Sequence, residues 1–308
     1  MPDAPRIALA TAPHLPDLFP DDRLLLDELR ARGVRASAEV WDAPHSWSAF
    51  DAVIVRSCWD SHLRRDAFVR WAHEVEASGA HLHNPAALLA WNTDKRYLRD
   101  LESRGVRVVP TAWVERRRGA ISSLHSVLEA KCWDESVVKP SISAGAHDTW
   151  RTSRAAAPGH EARFAALVAS TPGAVLVQPF VPEVQGVGEW SLVFLGGRFS
   201  HAVRKRAKAG DFRVQSEHGG LTETAVPGGS LTRDALDVIA AAAEAVGIPT
   251  AEVVYARVDG FERDGRLLLM ELEGTEPQLF LSFDTGAPAR AADALLAASR
   301  RTRRAASG

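Results

Sequence analysis

Two short strings near the C-terminus carry the most chemistry in this 308-residue chain. "YARVD" (Tyr255–Asp259) sets an arginine and an aspartate two positions apart, and "LLLMELEG" (Leu267–Gly274) spaces Glu271 and Glu273 the same way. Residues two apart share one face of a strand, so the spacing predicts that Asp259, Glu271 and Glu273 converge. Three carboxylates together repel one another and raise their own pKa values unless a cation joins them. Mg2+ is the hard cation that suits oxygen ligands and also meets phosphates. The competing reading puts Glu271 and Glu273 on a solvated strand face paired with arginines. The apolar run before them, Leu267–Met270, weighs against it.

A second clue lies in the basic residues. Among 37 lysines and arginines only Lys95, Lys131, Lys139, Lys205 and Lys208 are lysine. Arginine is the default here, so each lysine stands out as a compact point charge of the kind that serves phosphate. Lys139 ends the apolar string "SVVK" and opens onto a loop of small residues, Pro140–Gly145, that contains Ser143 and Gly145. Such a loop either offers backbone N–H groups to phosphates or simply connects two strands. Gln178 and Val181, with Phe180 between them, close another apolar run, and plain core and turn is the alternative there. Arg56 and Ser57 end the run "DAVIVRS", where open α/β sheets bind ligands. Arg56 is read either as a clamp for a substrate carboxylate or as a partner of Asp60.

These residues need a scaffold of alternating elements. "RIALAT", "VRASAEVW" and "DAVIVRS" read as strands, separated by amphipathic helices ending near Gly33 and Gly79. The opening part therefore reads as a small open α/β domain. "TDKRYLRDLESRG" reads as a capped helix with Lys95 in its first turn. Strands and helices then alternate up to about Ala174, after which strands dominate, interrupted by a helix capped at Thr232. "APARAADALLAASRR" reads as a closing helix and "TRRAASG" as a frayed tail. The expected division is 1–90, 91–176 and 177–308.

Bulk properties narrow the class. A net charge of -2 gives no electrostatic footprint for nucleic acid or an anionic membrane surface. No apolar run reaches the roughly 18 residues of a membrane span, and no secretory leader is expected from "MPDAPRIALAT". Cys58 and Cys132 are the only cysteines, which implies no disulfide framework and fits the cytoplasm. Walker A, G-x-G-x-x-G, G-x-S-x-G and HExxH motifs are all missing. "HLH" at His81–His83 has no partner cluster that would make it a metal site.

Taken in order, "TDKRYL", "VVKPSISAGAHDTW", "VQPFV", "GEWSLVFLGGRFSHAVRK", "GDFRVQSEHGG", "YARVD" and "MELEGTEP" resemble the motifs of the ATP-grasp superfamily over Trp91–Leu281. The similarity is to its glutathione synthetase-like and RimK-like branch, and in particular to the cyclo-ligases of cycloserine biosynthesis. The resemblance implies an ATP-grasp fold of class α/β (α+β): an N-terminal open α/β domain and two α+β subdomains clasping ATP. It implies that Lys95 and Lys139 contact the ATP phosphates, with the loop around Ser143 and Gly145 closing over them. Gln178, Phe180 and Val181 would line the adenine hinge and Glu189 would hold the ribose. Asp259, Glu271 and Glu273 would bind two Mg2+ ions. Arg204, Lys205, Arg213 and Arg257 would surround the γ-phosphate and an acyl-phosphate, and Gly219 and Gly220 would shape the substrate pocket. The loop is glycine-poor for a phosphate lid, and Glu273 stands where many relatives carry asparagine.

The implied activity joins a small amino-acid-like or peptide carboxylate to an amine, using ATP and Mg2+. An intramolecular cyclo-ligase and a non-catalytic nucleotide-binding module are the alternatives. The expected partners are small-molecule carboxylate and amine substrates, with a homodimer as the default assembly.

Overall fold

The computed structural model describes residues 4–116, 122–208, 211, 213–214 and 219–306, with side chains as far as Arg301. Within them three sheets are stacked against helices. The first is parallel, in the order β2-β1-β3-β4, from β1 (Arg6–Thr11), β2 (Arg35–Val40), β3 (Ala52–Ser57) and β4 (His81–His83). Strict alternation gives it two apolar faces. Ile7, Leu9 and Ile54 pack toward α1 (Pro20–Ala31) and α8 (Ala287–Ala306), while Ala8, Ala10, Val53 and Val55 pack with Phe68, Trp71 and Val75 of α2 (Arg65–Ala77). A sheet covered on both sides explains why these strands read as nearly continuous apolar runs.

Two short helices follow, α3 (Ala86–Asn92) and α4 (Tyr97–Ser103). The expected single helix starting near Thr93 is therefore wrong at its front end. Lys95 sits in the turn between α3 and α4, because the Asp94 carboxylate accepts from the backbone N–H and side chain of Arg96 instead of capping a helix.

The middle sheet is antiparallel, β5-β8-β6-β7, from β5 (Ala112–Glu115), β6 (Glu135–Pro140), β7 (Trp150–Ser153) and β8 (Ala174–Pro179). One face packs on α5 (Leu124–Lys131) and α6 (Ala157–Ser170) through Val138, Val175, Val177, Leu128 and Phe164. Opposite parity sends Val137, Lys139 and Gln178 to its other face.

The third sheet is antiparallel, β11-β10-β9-β12-β13, from β9 (Glu189–Leu195), β10 (Arg198–Arg206), β11 (Leu221–Thr224), β12 (Tyr255–Arg263) and β13 (Arg266–Glu273). Trp190, Leu192, Phe194, Val258 and Leu272 bury its back against α7 (Gly229–Val246). The N-cap of α7 is Gly228, so Thr232 lies inside the helix instead of capping it. The supposed frayed tail continues α8 as far as Ala306.

The divisions expected after residues 90 and 176 fall inside α3 and β8. We propose breaks in the turn before α4 and after Pro179, where one sheet gives way to the next. Both cysteines are free, Cys58 buried and Cys132 exposed. Among the described residues no helix is long and apolar enough to cross a membrane.

Candidate active site

The front of the third sheet changes character along its strands. At one end Val193, Leu195, Val203 and Tyr255 join the core shared with the N-terminal sheet. At the other end the same parity presents charge: Glu189 and Ser191 on β9, Lys205 on β10, and Arg257 and Asp259 on β12. Register sets these beside one another, with Lys205 opposite Glu189, Asp259 opposite Ser191 and Glu271, and Arg257 opposite Glu273. The two edge acids reach this face through a β-bulge. Glu271 pairs with Asp259 and Leu269 with Gly260, which leaves Met270 as the extra residue. Leu269 and Leu272 both pack toward α7, so the bulge switches parity between them.

Every carboxylate in this group has a cation. Lys205 Nζ lies 2.6 Å from Glu189 and 3.3 Å from Asp259. Arg257 donates to Asp259 at 2.8 Å through Nη2, and also to Glu273. Lys95 Nζ pairs with Glu271 at 3.0 Å, and Ser191 donates its hydroxyl to Asp259 at 2.6 Å. Burial alone would raise Asp259, but Arg257 and Lys205 pull it down to about 2. Burial raises Glu273 above the usual carboxylate range, with Asp259 and Glu271 adding to the effect against the pull of Arg257. Burial works against Glu271 too, yet Lys95 and Lys139 hold it below its ordinary value.

Lys95 and Lys139 link this face to the middle sheet. The Lys95 backbone N–H donates to Ser141 O at 2.8 Å, and Nζ donates to Ser143 O at 2.7 Å. It thus holds the small-residue loop at two points. The loop places Gly145, Ala146 and Asp148 at positive φ. Lys139 Nζ lies 3.7 Å from Met270 Sδ, and burial lowers its pKa against the field of Glu271. Beside it Val181, Val184, Phe261 and Leu268 form an apolar cluster, with Phe180 and Met270 packed on it. Gln178 is buried and donates to Thr111 Oγ1 at 2.9 Å.

Lys95, Lys139, Lys205, Glu189, Arg257, Asp259, Glu271 and Glu273 therefore come together, with Ser143, Phe180 and Val181 beside them, while Gly145 follows Ser143 in its loop and Gln178 shares the Lys139 face of the middle sheet. Other expectations need correction. The three carboxylates do not converge on one point: among the described residues no three His, Cys, Asp or Glu side chains lie close enough to hold a metal ion. Like charges separate and each finds a cation. The donor chemistry still suits Mg2+, since the Glu271 and Glu273 side chains are 26% and 30% exposed while Asp259 sits behind them at 4%. Arg204 has the opposite parity to Lys205 and stacks on Trp190, 4.0 Å from the ring centroid, on the α7 side. Arg213 forms a bidentate pair with Asp211 and touches none of the site's acids. Gly219, at φ +80°, and Gly220 lead into β11; Gly210, Phe212 and Gln215–His218 of the same motif lie outside the described residues.

Arg56 and Ser57 are fully buried, which removes both from direct contact with substrate. Arg56 pairs with Asp22 at 3.0 Å, donates to Pro277 O and lies over the Tyr255 ring, while Asp60 goes to Arg64. Ser57 donates to Asp22 at 2.7 Å. Arg56 holds the N-terminal sheet against the loop after β13, while Ser57 ties β3 to α1.

Several positioning residues escaped the reading of the sequence. Asn84 donates to Tyr255 O and Gly274 O and accepts from Val254 N–H. Asn92 donates to Leu272 O and accepts from Gly274 N–H and the Thr275 hydroxyl. Together they fix the end of β13 from behind. Asparagine interrupting "HLHNPAALLAWN" was the available signal. Glu276, which the motif "MELEGTEP" contains without assigning it a role, accepts at its carboxyl from Ser61 Oγ at 2.9 Å and at its carbonyl from Trp59 Nε1 at 3.1 Å.

Comparison with known proteins agrees with this architecture. Residues 7–84 match the family model of the N-terminal domain of D-cycloserine synthetase DcsG. The cycloserine biosynthesis protein DcsG of Streptomyces lavendulae is 32% identical over 284 residues, covering 88% of this chain and 91% of that protein. The crystal structure of D-cycloserine synthetase DcsG superposes with a TM-score of 0.83 at 30% identity, over 96% of this chain and 99% of the other. D-alanine–D-alanine ligase from Bacillus anthracis, complexed with ATP, shares the fold at 14% identity, with a TM-score of 0.66 over 98% and 99% of the two chains. A RimK domain ATP-grasp protein from Sphaerobacter thermophilus does so at 17% identity, with a TM-score of 0.63 over 94% and 99%. The chain belongs to the DcsG family of ATP-grasp ligases.

Proposed function

We propose that this ligase activates the carboxylate of a small amino-acid-like or peptide substrate as an acyl-phosphate and joins it to an amine. The γ-phosphoryl moves from ATP to a carboxylate oxygen, breaking the bond to ADP. The amine nitrogen then forms the C–N bond, inorganic phosphate leaves from the same carbon, and the nitrogen loses a proton. One observation carries the reading: Lys95, Lys139, Lys205 and Arg257 surround Asp259, Glu271 and Glu273 between two facing sheets. Phosphoryl transfer needs positioning and charge compensation more than a nucleophilic side chain.

In this reading Lys95 and Lys139 bind ATP phosphates, and the loop around Ser143 and Gly145 covers them and excludes water. Gln178, Phe180, Val181 and Met270 line the adenine, and Glu189 takes the ribose. Glu271 and Glu273, backed by Asp259, hold two Mg2+ ions. Bound there, Mg2+ offsets the negative charge of the phosphates. Lys205 and Arg257 reach the transferred group. Arg204 and Arg213 drop out of the proposed catalytic set.

A second reading, cyclisation within one molecule, is favoured by the 32% identity to DcsG. ADP release measured with single amino acids and with pairs separates the two. Turnover that always needs two different substrates supports intermolecular ligation. Turnover and ring closure with one substrate supports the cyclo-ligase. ATP and Mg2+ binding without ADP release for any candidate would point to a nucleotide-binding module.

A further inference from the structure

Glu276 stands apart from the other acids of the site. Asp22 has Arg56, Glu189 has Lys205, Asp259 has Arg257 and Lys205, Glu271 has Lys95, and Glu273 has Arg257. Among the described residues Asp21 pairs with no cation but accepts three hydrogen bonds, from Leu281 N–H, Ser282 N–H and Ser282 Oγ. Glu276 has neither arrangement. Among the described residues its carboxyl accepts one hydrogen bond, from Ser61, and pairs with no cation.

Its position is defined from both sides. The Trp59 and Ser61 contacts tie it to the loop after β3 of the N-terminal sheet. Asn92 fixes Gly274 and Thr275 just before it, and Arg56 grips Pro277 just after it. Lys95, Arg56 and Glu271 all act on its charge through space. The carboxyl therefore lies where the N-terminal sheet meets the phosphate end of the site. Burial pushes it up to about 7, with Ser61, Lys95 and Arg56 pulling the other way. An acid held in this manner gains most from a cation brought by a ligand.

Resting on the ligase reading above, we infer that Glu276, supported by Ser61, binds the ammonium group of the molecule whose carboxylate is activated. An ammonium held by a carboxylate has no free lone pair, so this nitrogen is not the attacking nucleophile. Its capture instead orients the substrate, turning the carboxylate toward Lys95 and Glu271. The substrate class becomes an amino acid with a free amino group, and the corresponding hydroxy acids are excluded.

The test uses hydroxylamine as a common nucleophile, which traps the activated carboxyl as a hydroxamate. Full-length protein, ATP and Mg2+ are assayed with D- and L-serine, D- and L-alanine and the matching glycerates and lactates. Wild type is expected to use at least one amino acid and none of the hydroxy acids. Glu276→Gln should raise the KM for the amino acid by about 30-fold or more and collapse the amino-over-hydroxy preference, with the KM for ATP within about twofold. Ser61→Ala should move both quantities in the same direction by a smaller factor, and it decides the matter if Glu276→Gln does not fold. Unchanged KM and preference in the variants, or a loss confined to kcat, overturns the inference and leaves the ligase reading standing. Wild type that releases no ADP with any compound overturns the ligase reading, and the inference with it.

Discussion

At the scale of single residues the site is a lattice of compensated charges, and removing one member exposes the rest. Glu271→Gln keeps the size of the side chain but removes the acid opposite Asp259. It should lower ADP formation about 100-fold and shift the Mg2+ dependence to higher concentration, both read from a coupled ADP assay. Asn84 satisfies three buried backbone groups around Gly274. Asn84→Ala should cost about 3 kcal/mol in urea unfolding. Two groups, the buried His83 and the half-buried Glu276, give opposing pH signatures. Burial lowers His83 from 6.5 to about 4, so the unfolded chain binds its proton first and stability falls as pH drops through that interval. Burial raises Glu276 from 4.5 to about 7, so the unfolded chain loses its proton first and stability falls as pH rises through that interval. The wild-type minus His83→Gln stability difference should therefore grow from pH 4 to pH 6.5. The corresponding difference for Glu276→Gln should shrink from pH 4.5 to pH 7. Denaturant midpoints across that range give both slopes.

At the scale of elements, two devices shape the site. The loop after β6 is held by Lys95 through the carbonyls of Ser141 and Ser143. Lys95→Met should speed proteolysis of the loop and raise the KM for ATP by about tenfold. The bulge in β13 depends on Gly260, where an added Cβ would lie well inside contact distance of the Leu268 carbonyl. Gly260→Ala should cost about 2 kcal/mol or more in unfolding free energy and lower activity with it. Strands, their order along the chain and the acid pairs were legible in the sequence because period-two patterns and apolar runs encode them directly. The parity of Arg204 was legible too, since Lys205 beside it in the chain must face the other way. What escaped depends on long-range partners. Nothing near Arg56 announces Asp22, and no local pattern marks Met270 as the inserted residue. The Thr-Asp string before α4 looked like a helix cap because Asp94's real partner, Arg96, is itself a good helix former. Glu276 lies inside the string "MELEGTEP" that carries the resemblance, yet a lone acid after "ELEG" has no spacing of its own that would assign it a role.

At the scale of the whole molecule, the N-terminal sheet and the third sheet share one core, and a buried ion pair of the N-terminal sheet braces their junction. Arg56 reaches from β3 to the loop after β13 and depends on Asp22 of α1 for its charge balance. Asp22→Ala leaves a buried guanidinium unpaired and should cost about 3–5 kcal/mol, seen as a loss of cooperativity or a lower midpoint in thermal unfolding. The bulge carries a further consequence. Point substitutions at Met270 change a side chain, whereas deleting that single codon restores a regular strand. Leu269 and Leu272 would still face α7 and Glu271 and Glu273 would still face the site, because the pairs Leu269–Gly260 and Glu271–Asp259 become consecutive rungs of the ladder. This stretch of the gene should thus survive the loss of that one codon, at the expense of the apolar contact beside Lys139, better than the loss of any other codon in the strand.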